Sequence, residues 1–154
     1  MHLKEHFLQV VRTGEACGGT LLYEVFDALE PVERGFLTGT WRGGVFDTAC
    51  ESTMKLVSMS WYGKRFDDTE DAEPLLCQRS DGSIAPNWEL GQARLREVAF
   101  RGKTSVAMVY DSVPIIDHFR KADEGTVLGL MDCKGRPADF FFHLTRVHRT
   151  ESRS

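Results

Sequence analysis

The segment that decides the fold class is residues 95–111, LREVAFRGKTSVAMVYD. Apolar and polar side chains alternate on both sides of a turn at residues 101–103, and after the turn Val106, Met108 and Tyr110 fall on one face. Alternation with a period of two is typical of strands that are buried on one face. The segment therefore predicts two antiparallel strands joined by a tight turn.

The same pattern continues towards the C-terminus. Three further segments have the composition and length of strands, and turns containing Gly or Pro separate them; they are residues 115–121, 126–131 and 139–147. Five short strands at regular spacing predict an antiparallel meander, either closed into a barrel or stacked as a sandwich.

The N-terminal half contains helical patterns. Leu22, Phe26 and Leu29 lie at i, i+4 and i+7 and form one apolar stripe, which predicts a helix over residues 20–29. A second, short helix is predicted over residues 5–12. Together with the strand meander, these patterns predict an α+β fold with N-terminal helical elements.

The pattern between the helices and the meander is mixed. Residues 52–61 fit a helix moderately, and residues 61–66, WYGKRF, are interpreted as a short strand or a bent connector. Residues 67–73 carry five acidic side chains, so they predict a solvated loop or the start of a helix. Residues 79–86 have the composition of turns.

The composition limits the class of function. The chain has 154 residues, 42% of them hydrophobic, and such a chain can bury a core without disulfides or metal. Its formal net charge of −4 argues against a general nucleic-acid binder. No stretch approaches the roughly 18 apolar residues that a membrane-spanning helix needs. We expect a cytoplasmic protein with no nucleic-acid partner and no membrane span.

The four cysteines are too widely spaced for a zinc site. Cys17, Cys50, Cys77 and Cys133 include no C-x-x-C pair, and they are interpreted as reduced thiols. The sequence predicts neither a bound metal nor a cofactor.

Trp41 is the sharpest single feature of the sequence. It lies between Gly39 and Gly43, and glycines in a strand usually mark a bend or a close approach of two backbones. A tryptophan here either closes the end of a small barrel or is a core residue at a strand corner. In both cases its indole N–H needs a partner, and its ring face can accept a cation, for which Arg146 is the candidate.

His118, Tyr110 and Asp117 are the candidate catalytic residues. In an extended strand Asp117 and His118 point to opposite faces, with Arg120 on the face of His118. If residues 112–114 form a hairpin bend, Tyr110 falls opposite Asp117 or His118. A Tyr, His and Arg cluster inside a barrel can bind a carboxylate or polarise a carbonyl. The alternative is a hydrogen-bonded buried network or a half-exposed strand.

The last predicted strand carries a second candidate histidine. His143 shares a face with Phe141 and Thr145, and from an inward-facing position it could act as an axial haem ligand. A lone histidine on an apolar strand is more often a hydrogen-bonded core residue. The run of phenylalanines at residues 140–142 makes both faces of this strand apolar, consistent with a helix packed outside the barrel or with a homodimer interface.

Two groups of longer strings resemble a known family. Residues 37–43, LTGTWRG, and 61–67, WYGKRFD, resemble the GXWXG domain family. Residues 109–120, VYDSVPIIDHFR, and 128–132, LGLMD, resemble the C-terminal domain of unknown function that usually accompanies it. The resemblance runs from about residue 20 to about residue 147.

No repeat, low-complexity tract or linker interrupts the chain. We therefore expect a single domain over residues 1–154. Its parts are an N-terminal extension (1–17), the GXWXG part (18–75) and the C-terminal strand meander (76–150).

Two more distant resemblances concern the barrel. Gly39-x-Trp41 is similar to the opening motif of calycins, meaning lipocalins and fatty-acid-binding proteins, and residues 39–43 are similar to nitrobindin-like haem barrels. The calycin resemblance implies a small antiparallel barrel with an apolar cavity, although function does not transfer with fold. In the haem barrels a further Gly follows after one intervening residue, whereas this chain has Val45.

The leading functional hypothesis is binding of a small hydrophobic molecule that carries one polar or acidic group. The predicted apolar contacts are Trp41, Trp61, Tyr62, Phe66, Tyr110 and Met131, and the predicted polar contacts are Arg65, His118 and Arg120. One alternative is an isomerase, cyclase or hydrolase that acts on a hydrophobic small molecule, with His118 as general acid or base and Tyr110 or Asp117 assisting. The other is a haem-binding barrel that uses His143 or His118.

Overall fold

A computed structural model of the chain describes residues 3–15, 17–46, 51–137 and 140–148. The helices in these residues are α1 (Leu3–Thr13), α2 (Gly19–Ala28) and α3 (Glu51–Ser58). The strands are β1 (Glu30–Pro31), β2 (Gly39–Val45), β3 (Trp61–Phe66), β4 (Ala72–Gln78), β5 (Ile84–Pro86), β6 (Ala93–Phe100), β7 (Lys103–Tyr110), β8 (Ile115–Asp123), β9 (Thr126–Cys133) and β10 (Phe140–Arg146). The α+β class is confirmed.

Eight of the strands close into an antiparallel barrel. Hydrogen bonding runs in the order β2-β3-β4-β6-β7-β8-β9-β10, and β10 pairs with β2 to complete the circle. β1 adds to β8 and β5 adds to β4 outside this circle. The barrel is confirmed and the sandwich alternative is wrong. Strands from both halves of the chain share this one sheet.

The middle of the chain differs from the sequence prediction. β4 starts at Ala72, inside the acidic segment that predicts a loop or a helix start, and β5 lies within the predicted turn. The pairing of β4 with β3 buries residues 72–77, and this tertiary contact outweighs the weak strand propensity of Glu and Pro. α3 ends at Ser58, before the predicted end at residue 61, because Trp61 already belongs to β3.

Apolar side chains form one layer inside the barrel and another outside it. Met108, Phe119 and Phe142 belong to the inner layer. The outer layer lies between the barrel wall and helices α1 and α2, where Phe26 contacts Phe141 with ring centroids 6.3 Å apart. The phenylalanine run therefore faces both ways, and a helix packed outside the barrel covers its outer face.

Trp41 belongs to the inner apolar layer of the barrel. The side chain is fully buried, and its Nε1 donates a hydrogen bond to the carbonyl oxygen of Leu37 at 2.8 Å. The Arg146 guanidinium lies 4.4 Å from the ring centroid, which confirms the predicted cation partner. Gly39 has φ +119°, a backbone conformation that residues other than glycine rarely adopt. The first glycine of the motif therefore sets the direction in which the chain enters β2.

The cysteines and helices also bear on the sequence predictions. Cys17, Cys77 and Cys133 are free thiols, and Cys50 lies outside the described residues. In the part of the chain that the structure describes, no helix has both the length and the apolar character to cross a bilayer.

Candidate functional site

A cavity of about 270 Å³ lies inside the barrel, and Trp41 is not among the residues that line it. It is bounded by the start of β3, β8 and β10 and by the end of β7 and β9. Its walls are mostly apolar, and the side chains that form them include Leu56, Met59, Trp61, Leu75, Met131, Phe140 and Phe142. Concave apolar sites with a few polar groups are the usual form of a small-molecule site.

Helix α3 forms one side of this cavity. Its residues Leu56 and Lys55 belong to the lining, and the Lys55 Nζ pairs with Glu89 Oε2 at 2.7 Å. This exposed ion pair links the helix to the loop that follows β5.

A buried ion pair lies in the cavity wall. The Lys64 Nζ is 3.2 Å from Asp117 Oδ2, and both side chains are only 4% exposed. The Nζ also donates a hydrogen bond to the Pro74 carbonyl oxygen at 3.2 Å. It lies 5.0 Å from the ring centroid of Phe142 and 5.4 Å from that of Trp61, within range of a cation–π interaction.

Strand alternation explains why both charges point inward. In β3 the fully buried Phe66 marks the inner face, and Lys64 lies two residues before it. In β8 the fully buried Phe119 plays the same part for Asp117. The core residues of the barrel thus force one cation and one anion into the same interior.

Burial brings the two pKa values of this pair closer together. Loss of solvent raises the pKa of Asp117, and the Lys64 cation opposes that rise. Loss of solvent also lowers the pKa of Lys64, and the Asp117 carboxylate opposes that fall. Moving a proton from the ammonium to the carboxylate therefore costs less here than in water.

Tyr110 adds a hydroxyl group to the same cavity. The side chain is buried, and loss of solvent together with the charge of Asp117 raises the pKa of Tyr110 well above its ordinary value. The hydroxyl therefore keeps its proton at neutral pH. It has no hydrogen-bond partner among the described residues, so it can donate to a bound molecule.

Four of the residues predicted to form the site line the cavity. These are Trp61, Tyr110, Asp117 and Met131. Trp41 and Phe66 are inside the barrel and fully buried, but neither lines the cavity. Tyr62 is half-buried and does not line the cavity.

His118 and Arg120 lie on the outer face of the barrel. The His118 ring stacks on Phe100 with centroids 3.6 Å apart, and its Nε2 is 3.2 Å from Asp132 Oδ2. Burial lowers the pKa of His118, and Asp132 opposes that shift. The Arg120 guanidinium lies 4.4 Å from the ring centroid of Phe26 in α2.

The predicted Tyr, His and Arg cluster inside the barrel is therefore wrong. Asp117 pairs with Met108 and His118 with Ala107, so Tyr110 is opposite neither of them. Of these two residues only Asp117 shares the inner face with Tyr110, because alternation along β8 directs His118 to the outer face. Arg65 is also directed outward, with a side chain 39% exposed and its Nε 3.4 Å from Asp67 Oδ1.

His143 also lies on the outer face. Its ring centroid is 5.1 Å from that of Phe46, and burial lowers the pKa of His143 to about 4, with the charge of Arg42 adding to the fall. The imidazole cannot serve as an axial ligand to a haem held in the barrel interior, because it points away from that interior. Within the described residues, no three His, Cys, Asp or Glu side chains come together as a metal site would require.

Lys64 is the residue of the site that the sequence reasoning missed. Lys64 and Arg65 are adjacent cations in β3, and the sequence pattern was interpreted as placing Arg65 in the site. The signal that distinguishes them was present, because Phe66 is a large apolar residue at the start of an acidic loop and its inward direction places Lys64 inside by alternation.

The chain matches two protein-family descriptions and is similar to a solved structure. A family described as "GXWXG protein" matches residues 24–82, and a domain of unknown function (DUF4334) matches residues 91–146. The chain is 47% identical to a protein from Thermomonospora curvata whose crystal structure superposes with a TM-score of 0.93, covering 96% of this chain and 100% of that one. No curated protein matches the chain.

Proposed function

This chain belongs to the GXWXG family, a name that denotes a sequence pattern, and from its cavity we propose that the protein binds a small, mostly apolar molecule. The single observation that carries this proposal is an apolar cavity that contains a buried ion pair and a hydroxyl with no hydrogen-bond partner among the described residues. Apolar walls supply affinity, and a few convergent polar groups fix orientation.

The size of the cavity favours a compact ligand. Drug-sized ligands usually occupy sites of roughly 300–1,000 Å³, and this cavity measures about 270 Å³. We infer a monocyclic or short-chain molecule.

The polar groups favour a ligand with one acceptor oxygen. Tyr110 offers a hydroxyl proton, and Lys64 offers an ammonium group that Asp117 already neutralises. A carbonyl, hydroxyl or carboxylic acid group can accept from them. In this proposal Tyr110 and Lys64 take the polar role that the sequence reasoning gave to Arg65, His118 and Arg120.

A filling variant tests the proposal. We expect monocyclic alcohols, phenols and ketones to bind the wild-type protein and raise its melting temperature, because a ligand that binds the folded state stabilises it. Met131→Trp places a larger side chain in the cavity wall and should abolish this shift. Met54→Trp, on the exposed side of α3, is the matched control and should retain it. Equal shifts in wild type and Met131→Trp would place binding elsewhere.

An enzyme on the same cavity is the second candidate, favoured by the pKa directions of Asp117 and Tyr110. A carboxyl group with a raised pKa can exchange protons with substrate, and a protonated tyrosine can stabilise a developing oxyanion. Isomerisation, cyclisation and hydrolysis of a hydrophobic small molecule all need such groups. In this version Asp117 replaces His118 as the general acid or base.

The enzyme candidate has its own test. Asp117→Asn should reduce turnover of a substrate by about 10²–10⁴-fold, while His118→Gln leaves turnover within a few fold. The reverse order of effects would return the catalytic role to His118.

A further inference from the structure

We propose that Lys64 forms an imine with the carbonyl carbon of a small apolar aldehyde or ketone bound in the cavity. The inference rests on the proposed function, since it names the class of ligand that the cavity takes.

The position of Lys64 separates it from the other lysines. The chain has six lysines, all of them among the described residues, and of these only Lys64 has a buried side chain. It lines the cavity, and its burial away from water disfavours the charge of the ammonium group. A desolvated lysine in an apolar pocket is an activated amine nucleophile.

Asp117 is placed to act as proton acceptor and then as counter-ion. Its Oδ2 is 3.2 Å from the reacting nitrogen, so it can take a proton from the ammonium without a relay. A protonated imine carries the same positive charge as the ammonium group. The ion pair with Asp117, and the nearby faces of Trp61 and Phe142, therefore serve the product as well as the free lysine.

The hydrogen bonds of the nitrogen also fit the product. A protonated imine keeps one N–H, which suffices for Asp117, and the hydrogen bond to the Pro74 carbonyl is lost. That carbonyl retains a donor, because Trp61 Nε1 lies 3.3 Å from it. The reaction therefore leaves the Pro74 carbonyl with a hydrogen-bond donor.

The step balances within the three polar groups. Asp117 takes a proton from the ammonium, and the free Lys64 amine attacks the carbonyl carbon while the π electrons move to oxygen. The Lys64 nitrogen, now bonded to carbon and positively charged, passes a proton to that oxygen through the Tyr110 hydroxyl, which gives one proton and regains one. The Asp117 acid then protonates the carbinolamine hydroxyl and water leaves as the C=N bond forms. The product is a protonated imine beside the Asp117 carboxylate.

Reductive trapping tests the inference directly. The protein is incubated with a limiting amount of benzaldehyde and with sodium cyanoborohydride, and the benzylated lysine is located by peptide mass mapping. We expect no more than one adduct per chain, with most of the label on Lys64. Lys4→Arg, which removes an exposed lysine on α1, should leave this adduct unchanged. An adduct spread over exposed lysines, with Lys64 unmodified, would overturn the inference.

Two variants separate reaction from folding. Lys64→Met should abolish the adduct, and the double variant Lys64→Met/Asp117→Leu does so without an unpaired buried carboxylate, with circular dichroism to verify its fold. Tyr110→Phe keeps the amine and should slow adduct formation roughly tenfold, the loss expected for one hydrogen bond. A total yield that is the same in the folded double variant as in wild type would contradict the assignment to Lys64.

Benzyl alcohol distinguishes this inference from the proposed function. It has nearly the same size and no carbonyl carbon. If benzyl alcohol binds in the cavity and benzaldehyde gives no Lys64 adduct, the inference fails and the proposed function stands. If neither binds, both fail.

Discussion

At the scale of single residues, the site depends on placing two opposite charges inside an apolar barrel. Removing an ion pair from water is costly, and the attraction between the partners repays that cost only when geometry is good. Lys64 and Asp117 meet this condition, with a 3.2 Å contact and a second hydrogen bond to a carbonyl oxygen. A site that bound only apolar molecules would have no use for such a pair.

Removing one partner should therefore destabilise the fold more than removing both. We expect Lys64→Met to lower the free energy of unfolding by about 3–5 kcal/mol, because Asp117 is left buried and unpaired. Lys64→Met/Asp117→Leu should recover most of this loss. Urea denaturation measures both, and Arg34→Ala, which breaks an exposed pair with Glu97, is the control with an expected change below about 1 kcal/mol. A double variant as unstable as the single one would show that the pair is needed for folding itself.

His143 makes stability depend on pH. Burial lowers the pKa of His143 from 6.5 to about 4, and its Nδ1 has no hydrogen-bond partner among the described residues. The unfolded chain therefore takes up this proton first. The stability that the neutral ring contributes is complete above pH 6.5 and is lost as the pH falls from about 6.5 towards about 4.

Replacement by an apolar residue should remove this dependence. We compare the free energy of unfolding of His143→Leu with that of wild type at each pH. The difference should favour the variant by about 2 kcal/mol more at pH 5 than at pH 8. Urea denaturation at a series of pH values provides the measurement. Parallel curves for the two proteins over this range would mean that His143 is not buried as described.

At the scale of elements, the glycine-rich strand β2 allows both layers of the barrel to pack. A Cβ atom at Gly43 would overlap the Trp61 indole on the inner face, and one at Gly44 would overlap the His143 imidazole on the outer face. The motif glycine after Trp41 thus leaves space for a cavity wall, and its neighbour leaves space for the outer layer.

These two glycines form a matched pair of variants. Both Gly43→Ala and Gly44→Ala should cost about 1–3 kcal/mol of stability, the range for adding atoms to a packed core. Only Gly43→Ala should also weaken binding of monocyclic alcohols, because it pushes Trp61 into the cavity. Calorimetric titration of both variants checks this. Equal loss of affinity in the two would disconnect Trp61 from binding.

The elements also show what a single sequence can and cannot predict. Period-two alternation identified β6 to β10, since one buried face leaves a clear pattern. It also separated Asp117 from His118 onto opposite faces of β8, but it assigned the inner face to His118, and the structure places Asp117 there. It failed at β4, where Glu73 and Pro74 weaken the strand pattern and the strand is specified by its pairing with β3. The cluster of Tyr110 with His118 failed because it required a hairpin register that the sequence does not encode locally.

At the scale of the whole molecule, closure of the barrel separates two chemically different buried layers, one inside the barrel and one on its outer face. The inner layer contains Lys64, Asp117 and Tyr110 beside a cavity. The outer layer contains His118, which stacks on Phe100, and His143, which contacts Phe46. Most histidine-based hypotheses from the sequence concern the outer layer, where side chains are packed against helices. The charged groups that face open space are those of the inner face.

Each proposed binding event or reaction requires a ligand in the barrel interior, and this location can be measured. Amide chemical shifts recorded by NMR during titration with benzyl alcohol test it most directly, because each residue reports separately. We expect perturbations clustered at residues that line the cavity, among them Trp61, Tyr110 and Met131, with little change at His118 and His143. Perturbations centred on the outer layer, or none at saturating ligand, would contradict it.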